Sequence, residues 1–148
     1  MSKAAGISFE TTLFVRDTCL CLHLQRAARA LARCFDDALR PLGLTSGQYS
    51  MMMSLNRPEP PSIGSVAALL SMDRTTLTAA LKPLQRRNLV MVMVDDEDRR
   101  GRRLRLTSAG RALLARAFPV WRRTHAEIDR LLPGNGVDRL RRDLQTLS

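Results

Sequence analysis

The run DDEDRRGRRLRLTSAG, Asp95 to Gly110, sets four acids against five arginines within eleven residues and then turns apolar. Guanidinium groups this dense suit phosphate and nucleic-acid grooves, and neighbouring carboxylates can brace some while others stay free. Upstream, Arg74-Thr75-Thr76-Leu77-Thr78 follows Asp73. Arginine pairs with the two major-groove acceptors of guanine, and threonine offers a hydroxyl plus a methyl that fits thymine. Lys82, Arg86 and Arg87 lie further along and are placed to touch phosphate. Other chemistries are poorly served. There is no phosphate-binding glycine loop, no paired catalytic carboxylates in helix-face spacing, and only two histidines, which speaks against an enzyme. Cys19 and His23, at i,i+4, form half a metal site with only Cys34 to add, so no metal or other cofactor is expected.

The bulk properties agree with a nucleic-acid partner. The chain has 148 residues, enough for one domain with arms, and 45% of them are hydrophobic. A formal charge of +10 points toward a polyanion. Aromatics make up only 4%, too few for a surface that stacks single-stranded bases, so double-stranded DNA held by its phosphates fits better. No apolar run approaches a membrane span, the N-terminus lacks a signal-peptide core, and three cysteines offer no disulfide framework. A soluble, cytoplasmic protein is expected.

The elements that would position these side chains can be read from periodicity. Leu20, Leu24, Ala27, Leu31, Phe35, Ala38 and Leu42 recur at helical spacing, predicting one helix from about Thr11 to Leu42, ended by Pro41 and Gly43. Thr45 caps a second helix with Tyr49, Met52 and Leu55 on one face, stopped at Arg57-Pro58. PEPPS, Pro58 to Ser62, is a rigid connector. A short helix from Ile63 to Leu70 follows, then a longer one from Arg74 to about Arg87, capped by Asp73, bent at Pro83 and closed by Asn88. Leu89 to Val94 and Arg102 to Thr107 read as a hairpin turning at Gly101, with Asp98 bracing an arginine. Thr107 opens a long helix kinked at Pro119 and ended by Leu132-Pro133-Gly134, and Val137 to Leu147 forms a last short helix.

Two helices joined by a tight turn and followed by a basic hairpin make a winged helix-turn-helix. Three stretches make the resemblance specific: LRPLGLTSGQYSMM (Leu39 to Met52), MDRTTLTAALKPLQRRNLV (Met72 to Val90) and DDEDRRGRRLRLTSAG. Together they resemble the MarR (multiple antibiotic resistance) family of bacterial transcriptional regulators over nearly the whole chain. Asn88 stands where a glycine is usual, and Ala79 and Ala80 where relatives often carry basic or amide side chains.

The resemblance implies a mainly α fold with a small β-hairpin wing, assembled as an intertwined helical homodimer. Residues 1–44 and 108–148 would supply dimerisation helices, and residues 45–107 the winged DNA-binding core. It places Arg74, Thr75, Thr76 and Thr78 at base edges in the major groove, with Lys82 and Arg86 nearby. From the wing, Arg99, Arg100 and Arg102 would contact DNA, with Arg100 or Arg99 in the minor groove. A dimer would bind a pseudo-palindromic operator, with repression the family's default.

Members of the family usually release DNA when a small phenolic or aromatic carboxylate binds between the dimerisation and DNA-binding parts. The candidates here are His23, Arg26, Tyr49, Met52, Trp121 and His125, the last two sharing a face one turn apart. Cys21 stands where the family's organic-hydroperoxide sensors carry a reactive cysteine. Gln25 and Phe35 replace the tyrosines of those sensors, so a buried, inert thiol is expected. A thiol- or peroxide-responsive regulator is the alternative, and a non-specific architectural DNA binder is another.

Overall fold

A computed structural model describes residues 6–148. The described chain runs α1 (Phe9–Thr18), α2 (Leu20–Leu39), a 3-10 turn (Arg40–Leu42), α3 (Ser46–Ser54), α4 (Ile63–Leu69), α5 (Arg74–Arg86), β1 (Val90–Val94), β2 (Arg102–Leu106), α6 (Ser108–Asp129) and α7 (Gly136–Leu147). β1 and β2 form an antiparallel ribbon in the register Val90–Leu106 through Val94–Arg102. A single bridge from Ser62 to Arg103 adds the residue before α4 to its edge. The fold is winged helix-turn-helix.

One expected helix is two. At Cys19 the backbone is extended (φ −67°, ψ 107°), and the chain restarts as α2. Thr18 donates its hydroxyl to the Phe14 carbonyl at 2.7 Å in the last turn of α1. α2 also stops earlier than its apolar spacing implies, because Pro41 enters a 3-10 turn closed by Gly43 at φ 68°. α5 runs through Pro83 and α6 through Pro119 without a break in either helix. Each ring removes a single backbone donor from a helix fixed by many other bonds.

The junctions of the wing are set by local chemistry. Asn88 adopts φ 56° after α5, so the chain can turn into β1. Thr107 donates its hydroxyl to the Asn88 carbonyl at 2.7 Å and accepts the Gly110 N–H at 2.9 Å, capping α6 against that turn. Gly110 has no alternative there, since a Cβ would sit 2.1 Å from the Leu89 carbonyl oxygen. One core unites the winged part with the ends of α2 and α6, through Leu39, Met52, Val66, Leu77, Leu81, Leu84, Leu104, Leu106, Leu114 and Ala117. Full burial of each such leucine contributes about 1.5–3 kcal/mol.

Beyond that core the helices leave apolar surface open. Neither α1 nor α7 buries a residue. Phe9, Phe14, Val15 and Leu20 stay exposed at one end of the chain, and Leu131, Leu140, Leu144 and Leu147 at the other. Among the described residues no helix is long and apolar enough to cross a membrane.

Candidate nucleic-acid interface

α5 is positioned by its cap and by one apolar face. The Asp73 carboxylate accepts the Thr76 backbone N–H and the Thr76 hydroxyl, both at 2.7 Å. These bonds, the backbone one first, hold its carboxyl below the usual range. Leu77, Leu81 and Leu84 are buried, which turns Thr75, Ala79, Lys82 and Arg86, spaced i, i+4, i+7 and i+11, to the exposed side. Thr78 is exposed beside that line and donates its hydroxyl to the Arg74 carbonyl at 2.7 Å. The Arg74 guanidinium lies back over α4, where a Cβ on Gly64 would meet Nη2 at 2.7 Å.

The wing is braced by one ion pair and by hydrogen bonds within its turn. Asp95, not Asp98, is the carboxylate that holds an arginine: its Oδ2 lies 3.1 Å from Nε of Arg103. Asp98 is occupied within the turn, accepting the Arg100 N–H at 3.0 Å through its side chain and the Gly101 N–H at 2.8 Å through its carbonyl. Position alone could not separate the two carboxylates, because the choice depends on where β2 returns. The Asp95 carboxyl sits below the usual range, first through the Glu97 N–H at 3.1 Å and then through Arg103, with burial opposing.

The basic residues therefore divide into two sets. Arg103 Nη1 donates to the Pro60 carbonyl at 2.9 Å, Arg87 Nη1 to Gly43 at 2.6 Å, and Arg111 Nη1 to Leu106 at 3.0 Å. Arg87, expected at phosphate, is thus spent on tying the end of α5 to the turn before α3. Arg102 bends back to the Arg99 and Gly101 carbonyls at 3.1 and 3.0 Å, stiffening the turn. Lys82, Arg86, Arg99 and Arg100 are exposed, and among the described residues their charged groups have no hydrogen-bond or ion-pair partner.

A second feature lies behind α3. Tyr49, Phe118 and Trp121 line a cavity of about 570 Å³ together with Ser50, Met53, Asn56 and Arg57. Trp121 is stacked on Tyr49 and Phe118, each at 6.1 Å between ring centroids, and lies 4.9 Å from His125. Burial raises the Tyr49 phenol above its ordinary range, keeping it neutral. Met52 does not line this cavity. It is 0% exposed and belongs to the core, while Met53, one residue on, reaches the wall. His23 and Arg26 are exposed on α2 and line no part of it, and the His23 ring is bonded to the Cys19 carbonyl at 2.8 Å. His125 stands behind Trp121, with Nδ1 3.1 Å from a buried Asp129 Oδ1 that has no hydrogen-bond partner. Arg57 and Phe118 were not legible as pocket residues, because each comes from a different element and only the packing of α3 on α6 brings them together.

Cys21 is exposed, not buried, and its sulfur accepts a hydrogen bond from the Gln25 amide at 3.4 Å. Position 25 thus supplies a donor even without a tyrosine.

The family model "MarR family" matches residues 44–101, from the start of α3 through the wing turn. The Mycobacterium tuberculosis transcriptional regulator MosR, solved with DNA, is 39% identical with a TM-score of 0.79, covering 87% of this chain and 92% of that one. The transcriptional repressor CouR, bound to a 23-mer DNA duplex, is 27% identical with a TM-score of 0.82, covering 97% and 99%. CouR has also been solved with p-coumaroyl-CoA. The transcriptional activatory protein BadR of Rhodopseudomonas palustris is 32% identical over 95 residues, 62% of this chain. The match spans about half, 54%, of BadR's own length. The resemblance seen in the helix order and wing motif is therefore one of descent, and the chain belongs to the MarR family of transcriptional regulators.

Proposed function

We propose that this chain binds double-stranded DNA sequence-specifically as a homodimer and acts as a repressor released by a small aromatic acid. The observation that carries the reading is the division among the basic residues. Arg87, Arg103 and Arg111 are bonded to backbone carbonyls, whereas Lys82 and Arg86 on α5 and Arg99 and Arg100 at the wing tip have no protein partner among the described residues. Two separate elements thus offer free cations. That pattern fits a recognition helix in the major groove and a wing tip in the neighbouring minor groove. MosR and CouR, both solved on DNA, support it.

The exposed apolar faces of α1, of the end of α6 and of α7 support dimerisation, since amphipathic helices are stabilised mainly by burying such faces. A two-fold dimer would read a pseudo-palindrome with half-sites about one helical turn apart. The cavity at Trp121 has the size of a small-molecule site. Its stacked aromatics fit a ring, and Arg57 offers a cation for a carboxylate. CouR, solved with p-coumaroyl-CoA, supports an aromatic effector. Selection of bound duplexes from a random library tests the reading: an enriched inverted repeat is expected, and an unenriched pool counts against it.

A second reading rests on Cys21, whose exposed thiol and Gln25 contact suit a peroxide-responsive switch. Mass spectrometry after mild hydroperoxide decides it, and an unmodified Cys21 removes it.

A further inference from the structure

We propose that α5 selects its half-site through thymine 5-methyl groups, read by the methyls of Thr78 and Ala79, with Thr75 carrying the only uncommitted threonine hydroxyl of that helix end. The inference rests on the reading of the chain as a sequence-specific DNA binder.

The three threonines of the first two turns differ in what they can offer. The Thr76 hydroxyl hydrogen is given to the Asp73 carboxylate at 2.7 Å. Turning it toward a base would break a charge-assisted bond and weaken the cap of the helix. The Thr78 hydroxyl hydrogen is given to the Arg74 carbonyl at 2.7 Å, the back-bond that helical threonines make to the preceding turn. Thr75 is exposed, and its hydroxyl enters no hydrogen bond among the described residues. Ala79, exposed one turn beyond Thr75, has only a methyl to present. Arg74 leans over Gly64 and must swing away from α4 to meet a guanine. Lys82 and Arg86 end in point or fork charges that suit phosphate.

The part of this face free to touch base edges is thus short of donors and rich in methyls. Thymine alone among the bases carries a methyl in the major groove, and burying methyl against methyl removes apolar area from water. Donating a hydrogen bond from Thr78 to a base acceptor would require breaking an internal bond, while methyl readout requires no rearrangement.

The test uses the full-length protein and the tightest duplex recovered from a random library. Replacing thymidine by 2′-deoxyuridine in that duplex removes the 5-methyl groups and leaves every hydrogen-bonding group in place. Fluorescence anisotropy is expected to show binding about fourfold weaker per contacted methyl. Thr78→Val, which keeps a methyl and loses the hydroxyl, should bind the thymine duplex like the parent. Thr78→Ser, which loses the methyl, should lose about fourfold on the thymine duplex and nothing further on the uracil duplex. A uracil duplex bound as tightly as its thymine counterpart, with both still outcompeting scrambled DNA, would overturn methyl readout and leave the specific regulator standing. A library that yields no preferred sequence would overturn both.

Discussion

The Asp95 carboxylate and the Arg103 guanidinium meet at 3.1 Å at the turn end of the wing, and the same guanidinium donates to the Pro60 carbonyl at 2.9 Å. One arginine therefore ties both strands of the wing to the connector between α3 and α4. Arg100, three residues earlier, has a free guanidinium at the tip. The two should fail differently. Arg100→Ala should weaken specific DNA binding by about 1–3 kcal/mol, less where Arg99 substitutes, and leave thermal stability unchanged. Arg103→Leu should lower Tm by a few degrees and weaken binding indirectly, by loosening the wing. Calorimetry and anisotropy on both variants check this, and an Arg100→Ala variant with parental affinity at physiological salt removes Arg100 from the interface.

Lys82 and Arg86 are expected at phosphates. Lys82→Ala and Arg86→Ala should weaken specific and scrambled duplexes alike, each lowering the salt slope of log K by about one. A loss confined to one sequence would reassign the residue to base contact.

Acid should loosen α5 and the wing together. Asp73 and Asp95 both titrate below the usual carboxylate range, Asp73 chiefly through the Thr76 N–H and Asp95 chiefly through the Glu97 N–H. A carboxyl whose folded pKa is depressed stabilises the fold fully above its unfolded value, about 3.9 for aspartate. That stabilisation is lost as pH falls from there through the folded value. Stability should thus hold through mildly acid pH and fall below about pH 4. Asp73→Asn, which keeps a capping side chain but cannot titrate, should flatten part of that acid limb in pH-dependent thermal melts.

Gly110→Ala tests the seam between wing and α6. Its Cβ would meet the Leu89 carbonyl oxygen at 2.1 Å, and that backbone carbonyl also accepts the Thr107 N–H at 3.1 Å. Thermal unfolding should show a loss of about 1–3 kcal/mol. Unchanged stability would mean the seam relaxes freely.

The chain's one tryptophan, Trp121, lines the cavity and so reports on it. Aromatic carboxylates should change its fluorescence and release DNA. Arg57→Met should weaken that response several-fold while DNA affinity is kept.

What was legible in the sequence was chemistry that acts locally. Asp73, Asn88, Thr107 and the hairpin turn at Gly101 each follow from a cap, a positive φ or a turn within a few residues, and the structure places them so. The break at Cys19 was not, since neither Gly nor Pro marks it and the apolar spacing runs straight across. Which arginines are structural was not legible either. Arg87 reaches Gly43 and Arg103 reaches Pro60, 44 and 43 residues away, so only the folded chain separates them from Arg86 and Arg100. The Met51-Met52-Met53 run posed the same problem. Met52 shares a face with Tyr49, yet burial in the core assigned it to packing and Met53 to the cavity wall.

The most direct test of the account is fluorescence anisotropy on the DNA upstream of this protein's own gene, competed with scrambled DNA at physiological salt. A sequence-specific regulator should prefer the upstream sequence by at least about a thousandfold. Equal binding to both, vanishing as salt rises, would leave only the net charge at work and contradict it.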